Sequence, residues 1–182
     1  KQLPLAKTTK VYFEDYQKNY GKVDALAGKV FDKTYDGITF VKTPEEADVI
    51  LLWIKPAIRP LFPSDSSPLK VNLSNCAINV DYINKLTAKK PTILAVNFAN
   101  PFVIDEIYND KTKDHFVGVI GTFGISEEAL LDVVSGKFKP TGKMPFTTPI
   151  SQQAVETNKE DVPGYDEGPN YPLFKFGEGL SY

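Results

Sequence analysis

Three continuous apolar runs, in which polar residues do not alternate, divide the middle of the chain. They are VILLWI at 49–54, TILAVNF at 92–98 and FVGVI at 116–120. Strands buried on both faces of a parallel sheet have this pattern, whereas half-exposed strands alternate. We therefore predict that the three runs are neighbouring strands of one sheet, with 49–54 in a central position and helices covering both faces. Shorter strands are predicted at 10–13 and 38–41.

Helical signals lie between and after these runs. A helix is predicted over 80–88 from its three-residue apolar period, and another begins at the N-cap Ser126 and ends at Gly136. Asn100 and Pro101 predict a further helix over 102–108, which would make the connection between the last two strands a βαβ crossover. The Thr43-Pro44 pair predicts a short helix.

The alternation of strands and helices indicates an α/β fold. The expected architecture is an α/β sandwich with a mostly parallel central sheet flanked by helices. After Gly136, proline and glycine recur too often for long regular elements, so residues 137–182 are predicted to form an extended tail over the body. No internal repeat or linker interrupts the chain, and residues 1–182 are expected to be a single domain.

Composition excludes several classes of protein. The formal net charge is −2 with no dense Lys/Arg run, which argues against a nucleic-acid partner, and no segment approaches the roughly 20 apolar residues of a membrane span. The single cysteine, Cys76, excludes an internal disulfide and a cysteine-based zinc site, and is expected to be a small buried hydrophobe. No nucleotide fingerprint or metal motif is present, so no cofactor is expected.

The N-terminal residues KQLPLAKTT contain no apolar stretch long enough for a signal peptide. The chain is therefore either cytoplasmic or starts after processing or excision, and the initial Lys1 favours excision. This leaves the location open, with the periplasm and the cell exterior among the possible compartments.

Two motifs in the tail resemble those of a known family. GKFKPTGKMPF at 136–146 looks like the "G..nPsGrLPf" signature of family 3 glycoside hydrolases, and FGEGLSY at 176–182 resembles that family's "FGyGLSY". LPL at 3–5 is similar to the start of the C-terminal domain in this family. The resemblance covers the whole chain, is strongest at its end, and suggests a bacterial β-glucosidase-like member.

This resemblance implies a function that needs a second domain. Members of the family generally pair an N-terminal (β/α)8-like barrel with this α/β domain and cleave β-glycosidic bonds with retention. The barrel carries the carboxylate nucleophile, so the chain would form part of the pocket of a retaining β-glycosidase acting on terminal β-linked sugars. Alone it would be inactive.

The loop predicted at 55–73 leaves the carboxyl end of the central strand, where α/β sheets bind ligands. Many family members carry the catalytic acid/base glutamate there, but this loop contains none. Its only carboxylate, Asp65, is either a catalytic or sugar-contacting group or a local turn cap. Lys55 and Arg59 are either substrate-binding cations or surface charges.

Two alternatives to the glycosidase remain at this stage. Loss of the acid/base favours a non-catalytic carbohydrate-binding or structural module, which would bind sugar without a barrel. An unrelated doubly wound enzyme is disfavoured by the tail motifs. His115 has no hydroxyl or thiol signature nearby and is interpreted as a loop histidine.

The remaining charged and aromatic residues are assigned structural roles. The acid pairs Asp105-Glu106 and Glu127-Glu128 are interpreted as helix electrostatics, since adjacent helical residues point in different directions. Five tail aromatics are expected to anchor the tail to the domain body or to its missing partner: Phe146, Tyr171, Phe174, Phe176 and Tyr182.

Overall fold

The computed structural model describes residues 3–17, 23–25, 34–58, 69–158 and 171–182. Within these ranges the backbone forms one sheet of seven strands. The strands are β1 (Lys10–Gln17), β2 (Val23–Ala25), β3 (Thr34–Tyr35), β4 (Ile38–Phe40), β5 (Val49–Lys55), β6 (Thr92–Asn97) and β7 (Phe116–Thr122). The α-helices are α1 (Val80–Thr87), α2 (Glu127–Ser135) and α3 (Gln152–Thr157).

The sheet is mostly parallel. Its order is β3-β4-β1-β5-β6-β7, with β2 paired to β1. β1 is parallel to β4 and β5, and the β5–β6 and β6–β7 pairs are also parallel, whereas β1–β2 and β3–β4 are antiparallel. The three apolar runs form the neighbouring strands β5, β6 and β7, and the run 49–54 lies in a central position, so this prediction is confirmed. As a result, the carboxyl ends of β1, β5, β6 and β7 lie along the same edge.

The central strand is buried because helices cover both faces of the sheet. Alternate residues of β5 enter two separate apolar clusters. On one face Leu52 packs in a cluster with Ile83 of α1, and on the other Leu51 packs in a cluster with Leu131 of α2. Every side chain from 49 to 54 is buried, which explains the absence of polar alternation in this run.

The predicted boundaries of α2 are confirmed. The Ser126 side chain accepts a hydrogen bond from the backbone N–H of Ala129 at 3.3 Å. At the other end Gly136 adopts a left-handed φ of +83°, the conformation in which glycine commonly ends helices. Pro4 lies so close that a Cβ atom on Gly136 would be 2.6 Å from the Pro4 Cβ. The N-terminal segment therefore covers the end of α2.

Two short 3-10 helices occupy connections. The helix predicted at Thr43-Pro44 spans Pro44–Glu46, and Thr43 makes no capping side-chain bond to the described residues. The second, Lys113–His115, places His115 directly before β7, as expected for a loop histidine.

The prediction of a helix over 102–108 is wrong. The backbone N–H of Val103 donates to the carbonyl of Val71 at 3.0 Å, and a β-bridge joins Val103 to Asn72. These contacts hold the stretch beside residues 71–72. Only a single turn follows, in which the N–H of Tyr108 reaches the Ile104 carbonyl. Pairing with a distant segment has replaced helical hydrogen bonding. The connection between β6 and β7 is therefore not a helical crossover.

The interpretation of Asp105 and Glu106 as helix electrostatics is also wrong. Glu106 instead accepts hydrogen bonds from the backbone N–H of Ser74 at 2.8 Å and from the Asn72 side chain at 3.1 Å. Burial, and then the neighbouring Glu106 charge, raise the pKa of Asp105. Glu127 and Glu128 do lie in the first turn of α2, as predicted.

The tail aromatics divide into two groups. Phe146 and Phe174 pack against the cluster that contains α1, and the Tyr182 hydroxyl donates to the Val133 carbonyl at the end of α2. Phe176, by contrast, is 72% exposed, and Tyr171 is also largely exposed. The first group anchors the tail to the domain itself, while the second makes no such contribution.

Candidate functional site

A buried ion pair lies where β1 and β5 end. The Lys55 ammonium is 2.6 Å from the Asp15 carboxylate, and it stands 3.7 Å above the centre of the Trp53 ring. The Asp15 side chain is almost wholly buried, and that of Lys55 is 20% exposed. Lys55 is thus a fixed cation rather than a mobile surface charge. An ammonium group has three donors, and the ion pair with Asp15 engages one of them.

A chain of hydrogen bonds continues this arrangement to β6 and β7. Trp53 Nε1 donates to Thr122 Oγ1 at 3.0 Å, and that hydroxyl lies 3.3 Å from the Val96 carbonyl oxygen, its acceptor. One residue further along β6, Asn97 Oδ1 accepts from the backbone N–H of Gly124 at 2.9 Å. The ends of three parallel strands are therefore held in a fixed relation to one another.

An exposed aromatic ring stands at the end of β7. Phe123 is 45% exposed, although its ring stacks on Phe98 at 6.1 Å and meets Phe146 edge-on at 6.1 Å. Phe98 and Phe146 also contact each other, with centroids 5.5 Å apart. The two supporting rings fix Phe123, so that its ring is a rigid apolar surface at the end of β7.

Residues 69–71 are held against α3. The Gln152 side chain accepts a hydrogen bond from the Val71 N–H at 3.0 Å and donates to the Leu69 carbonyl at 2.9 Å. Lys70 between them forms an ion pair with Glu156. The tail therefore fixes the position of residues 69–71.

Of the three predicted site residues, only Lys55 lies in the described part of the chain. It occupies the expected edge, paired with Asp15. Arg59 and Asp65 lie outside the described residues. Sequence reasoning missed Asp15, because the strand predicted at 10–13 ended two residues before it, whereas β1 continues to Gln17. Phe123 was missed as well, because an aromatic residue just after a strand has no local signature.

Two features are absent from the described residues. These residues contain no group of three or more His, Cys, Asp or Glu side chains placed to hold a metal ion. None of the helices found there has the length and apolar character to cross a membrane.

These features define an α/β domain in which a fixed cation and an exposed aromatic ring lie at the edge where the parallel strands end. The glycosyl hydrolase family 3 C-terminal domain matches residues 3–182. The chain belongs to this family.

The similar proteins are much longer than this chain. Beta-glucosidase C of Emericella nidulans is 32% identical over 188 aligned positions, covering 99% of this chain but 26% of that protein. The periplasmic beta-glucosidase/beta-xylosidase of Dickeya chrysanthemi is 32% identical, over 80% of this chain and 22% of that protein. The chain spans about a quarter of the length of these relatives.

Solved structures agree on the fold. The beta-glucosidase from Listeria innocua in complex with isofagomine superposes with a TM-score of 0.64 at 16% identity. The match covers 99% of this chain and 31% of that one. At this identity the likeness concerns the fold alone.

Proposed function

We propose that this chain is the C-terminal domain of a retaining β-glycosidase that hydrolyses terminal β-linked sugars. Its carboxyl-end edge would form one wall of the substrate pocket, and an N-terminal (β/α)8-like barrel of the same protein would form the other. The observation that carries this proposal is the family match over residues 3–182, in a chain about a quarter as long as its beta-glucosidase relatives.

The edge has the chemistry that a sugar pocket requires. Lys55 offers ammonium donors to sugar hydroxyls, and its pairing with Asp15 fixes where those donors point. The exposed ring of Phe123 offers a rigid apolar surface at the same edge. Arg59 and Asp65 follow Lys55 in the chain, and we retain them as further substrate-binding and catalytic candidates.

The chemistry itself requires the missing barrel. Retaining hydrolysis uses two carboxyl groups about 5–5.5 Å apart, one attacking the anomeric carbon and one protonating the leaving oxygen. The family resemblance assigns the nucleophile to the barrel. The Asp15 carboxylate is neutralised by Lys55, so its role in this proposal is to position that cation rather than to react.

The test compares two lengths of the protein with an aryl β-glucoside. Residues 1–182 alone should show no turnover, while the protein that includes its upstream residues should be active. Turnover by the short chain that survives repurification would overturn the requirement for a barrel. Sugar binding by the short chain, together with an inactive long protein, would favour the non-catalytic carbohydrate-binding alternative.

A substitution of Lys55 tests the pocket wall in the long protein. Lys55→Met should lower kcat/KM by about 10- to 100-fold, because a hydrogen bond to a charged group contributes about 1.5–3 kcal/mol. The matched control is Lys89→Met, since Lys89 is exposed, pairs with Glu45 and precedes β6 at the opposite edge of the sheet. Equal effects of the two substitutions would remove Lys55 from the pocket.

A further inference from the structure

Glu14 is a fully buried acid that the proposed pocket does not use. It lies in β1 with no exposed surface, on the face of the sheet that packs against α1. The hydroxyls of Tyr12 and Tyr82 both donate to its Oε2, each at 2.9 Å. Its other oxygen, Oε1, is also buried and has no hydrogen-bond partner within the described ranges. An ionised carboxylate accepts on both oxygens, so this environment solvates only half of it.

Among the described residues, no positive charge compensates Glu14, and none of their ion pairs includes it. The described titratable groups that face it are phenols: Tyr12 and Tyr16 from β1 and Tyr82 from α1. On the β5 side its register neighbour is the apolar Leu52.

Two other elements adjoin this cluster. In the antiparallel β1–β2 pair Glu14 lies opposite Ala25. From the 3-10 helix before β5, the Glu45 charge acts on Tyr12 and adds negative rather than positive potential. Glu45 itself pairs with Lys89, 2.8 Å away. Burial of an anion without a cation costs several kcal/mol, more than leaving one neutral polar atom unpartnered.

The same cluster attaches α1 to the sheet. Tyr82 belongs to α1 and reaches Glu14, while the Tyr16 hydroxyl accepts a hydrogen bond from the backbone N–H of Asn79, the N-cap of that helix, at 2.9 Å. The Tyr16 and Tyr82 rings stack with centroids 6.1 Å apart. Residues 69–79 lead into α1, so the cluster also fixes the position at which this segment ends.

We propose that Glu14 is a proton-dependent clasp, which holds α1 against β1 as a neutral carboxylic acid and loosens α1 with its preceding segment when the proton is lost. The phenols then face a buried anion that has no counter-ion in the described part of the chain. The effect should be local to α1, because α2 packs on the opposite face of the sheet.

The direction of the pH dependence follows from proton linkage. Burial raises the pKa of Glu14 above the value of 4.5 that applies to the unfolded chain. The folded protein therefore holds the proton more tightly, and stability is greatest below that value and decreases as pH rises toward the folded pKa. The opening equilibrium of α1 should increase by up to about tenfold per pH unit over this interval.

The experiment compares wild-type protein with Glu14→Gln by amide hydrogen exchange, corrected for intrinsic rates, from pH 5 to pH 8.5. Glutamine stays neutral and keeps an oxygen acceptor for the two tyrosines. In wild type the protection of α1 should decrease with rising pH while α2 is unchanged, and in Glu14→Gln both should stay constant. Parallel loss of protection in α1 and α2, or the same profile in both proteins, would overturn the proposal.

A second measurement does not depend on the variant folding. The side-chain carboxyl carbon of Glu14 can be followed by NMR in wild-type protein during a pH titration. A midpoint above 4.5 is expected, and a midpoint at or below 4.5 would refute the clasp.

Discussion

Gly136→Ala tests how the N-terminal segment and α2 depend on each other. The left-handed φ of +83° at this position costs a residue with a side chain about 1–2 kcal/mol. The new Cβ would also lie 2.6 Å from the Pro4 Cβ and 2.9 Å from its Cγ, so one of the two segments must shift. Such overpacking typically costs about 1–3 kcal/mol. Relief by movement is limited, because the Leu5 N–H donates to the Val134 carbonyl at 2.9 Å.

The total expected loss is about 2–5 kcal/mol in the free energy of unfolding. For a chain of this size that corresponds to a decrease of roughly 4–20 °C in the melting temperature. Urea denaturation followed by circular dichroism measures the free energy of unfolding, and a thermal melt measures the melting temperature.

The matched control is Gly124→Ala. Gly124 has a similar φ of +69°, but nothing lies within 4 Å of the position that its Cβ would occupy. Gly124→Ala should therefore lose only the cost of a side chain at left-handed φ, about 1–2 kcal/mol in the free energy of unfolding. The difference between the two variants measures the contact with Pro4. If both lose the same free energy within error, the reasoning that the N-terminal segment closes over α2 is refuted.

Three further experiments test other contacts. A chain ending at Lys175 loses the hydrogen bond from the Tyr182 hydroxyl to Val133 and should melt several degrees lower, whereas Phe176→Ala should melt as wild type. An unchanged melting temperature in the shortened chain would exclude docking of the tail within the domain. Trp53→Phe removes the donor to Thr122 and should cost about 1–3 kcal/mol by urea titration; a wild-type midpoint would contradict this. Glu106→Gln should increase amide exchange at Ser74 without affecting α2, and unchanged exchange would show that the charge is dispensable.

Local sequence patterns predicted two kinds of element: a helix capped by its own neighbouring residues, and strands that are fully buried. The start and end of α2 were readable because Ser126 and Gly136 act within one turn of the helix. The strands β5 and β6 were readable because burial on both faces leaves no polar positions, whereas β7, equally apolar in sequence, ends the strand order and is only half-buried. The stretch 102–108 has helix-like signals, yet its backbone pairs with Val71, more than thirty residues earlier in the chain.

The sequence by itself determined the α/β class, the three neighbouring apolar strands and the edge at which Lys55 lies. Only the tertiary structure decided what Lys55 does there, because its partner Asp15 is 40 positions away and the two meet through the parallel register of β1 and β5. The same holds for the buried acid Glu14, since the Tyr82 hydroxyl that holds it comes from a helix 68 positions further along. Burial and ion pairing depend on which distant segments the fold brings together, and the local sequence pattern does not predict those contacts.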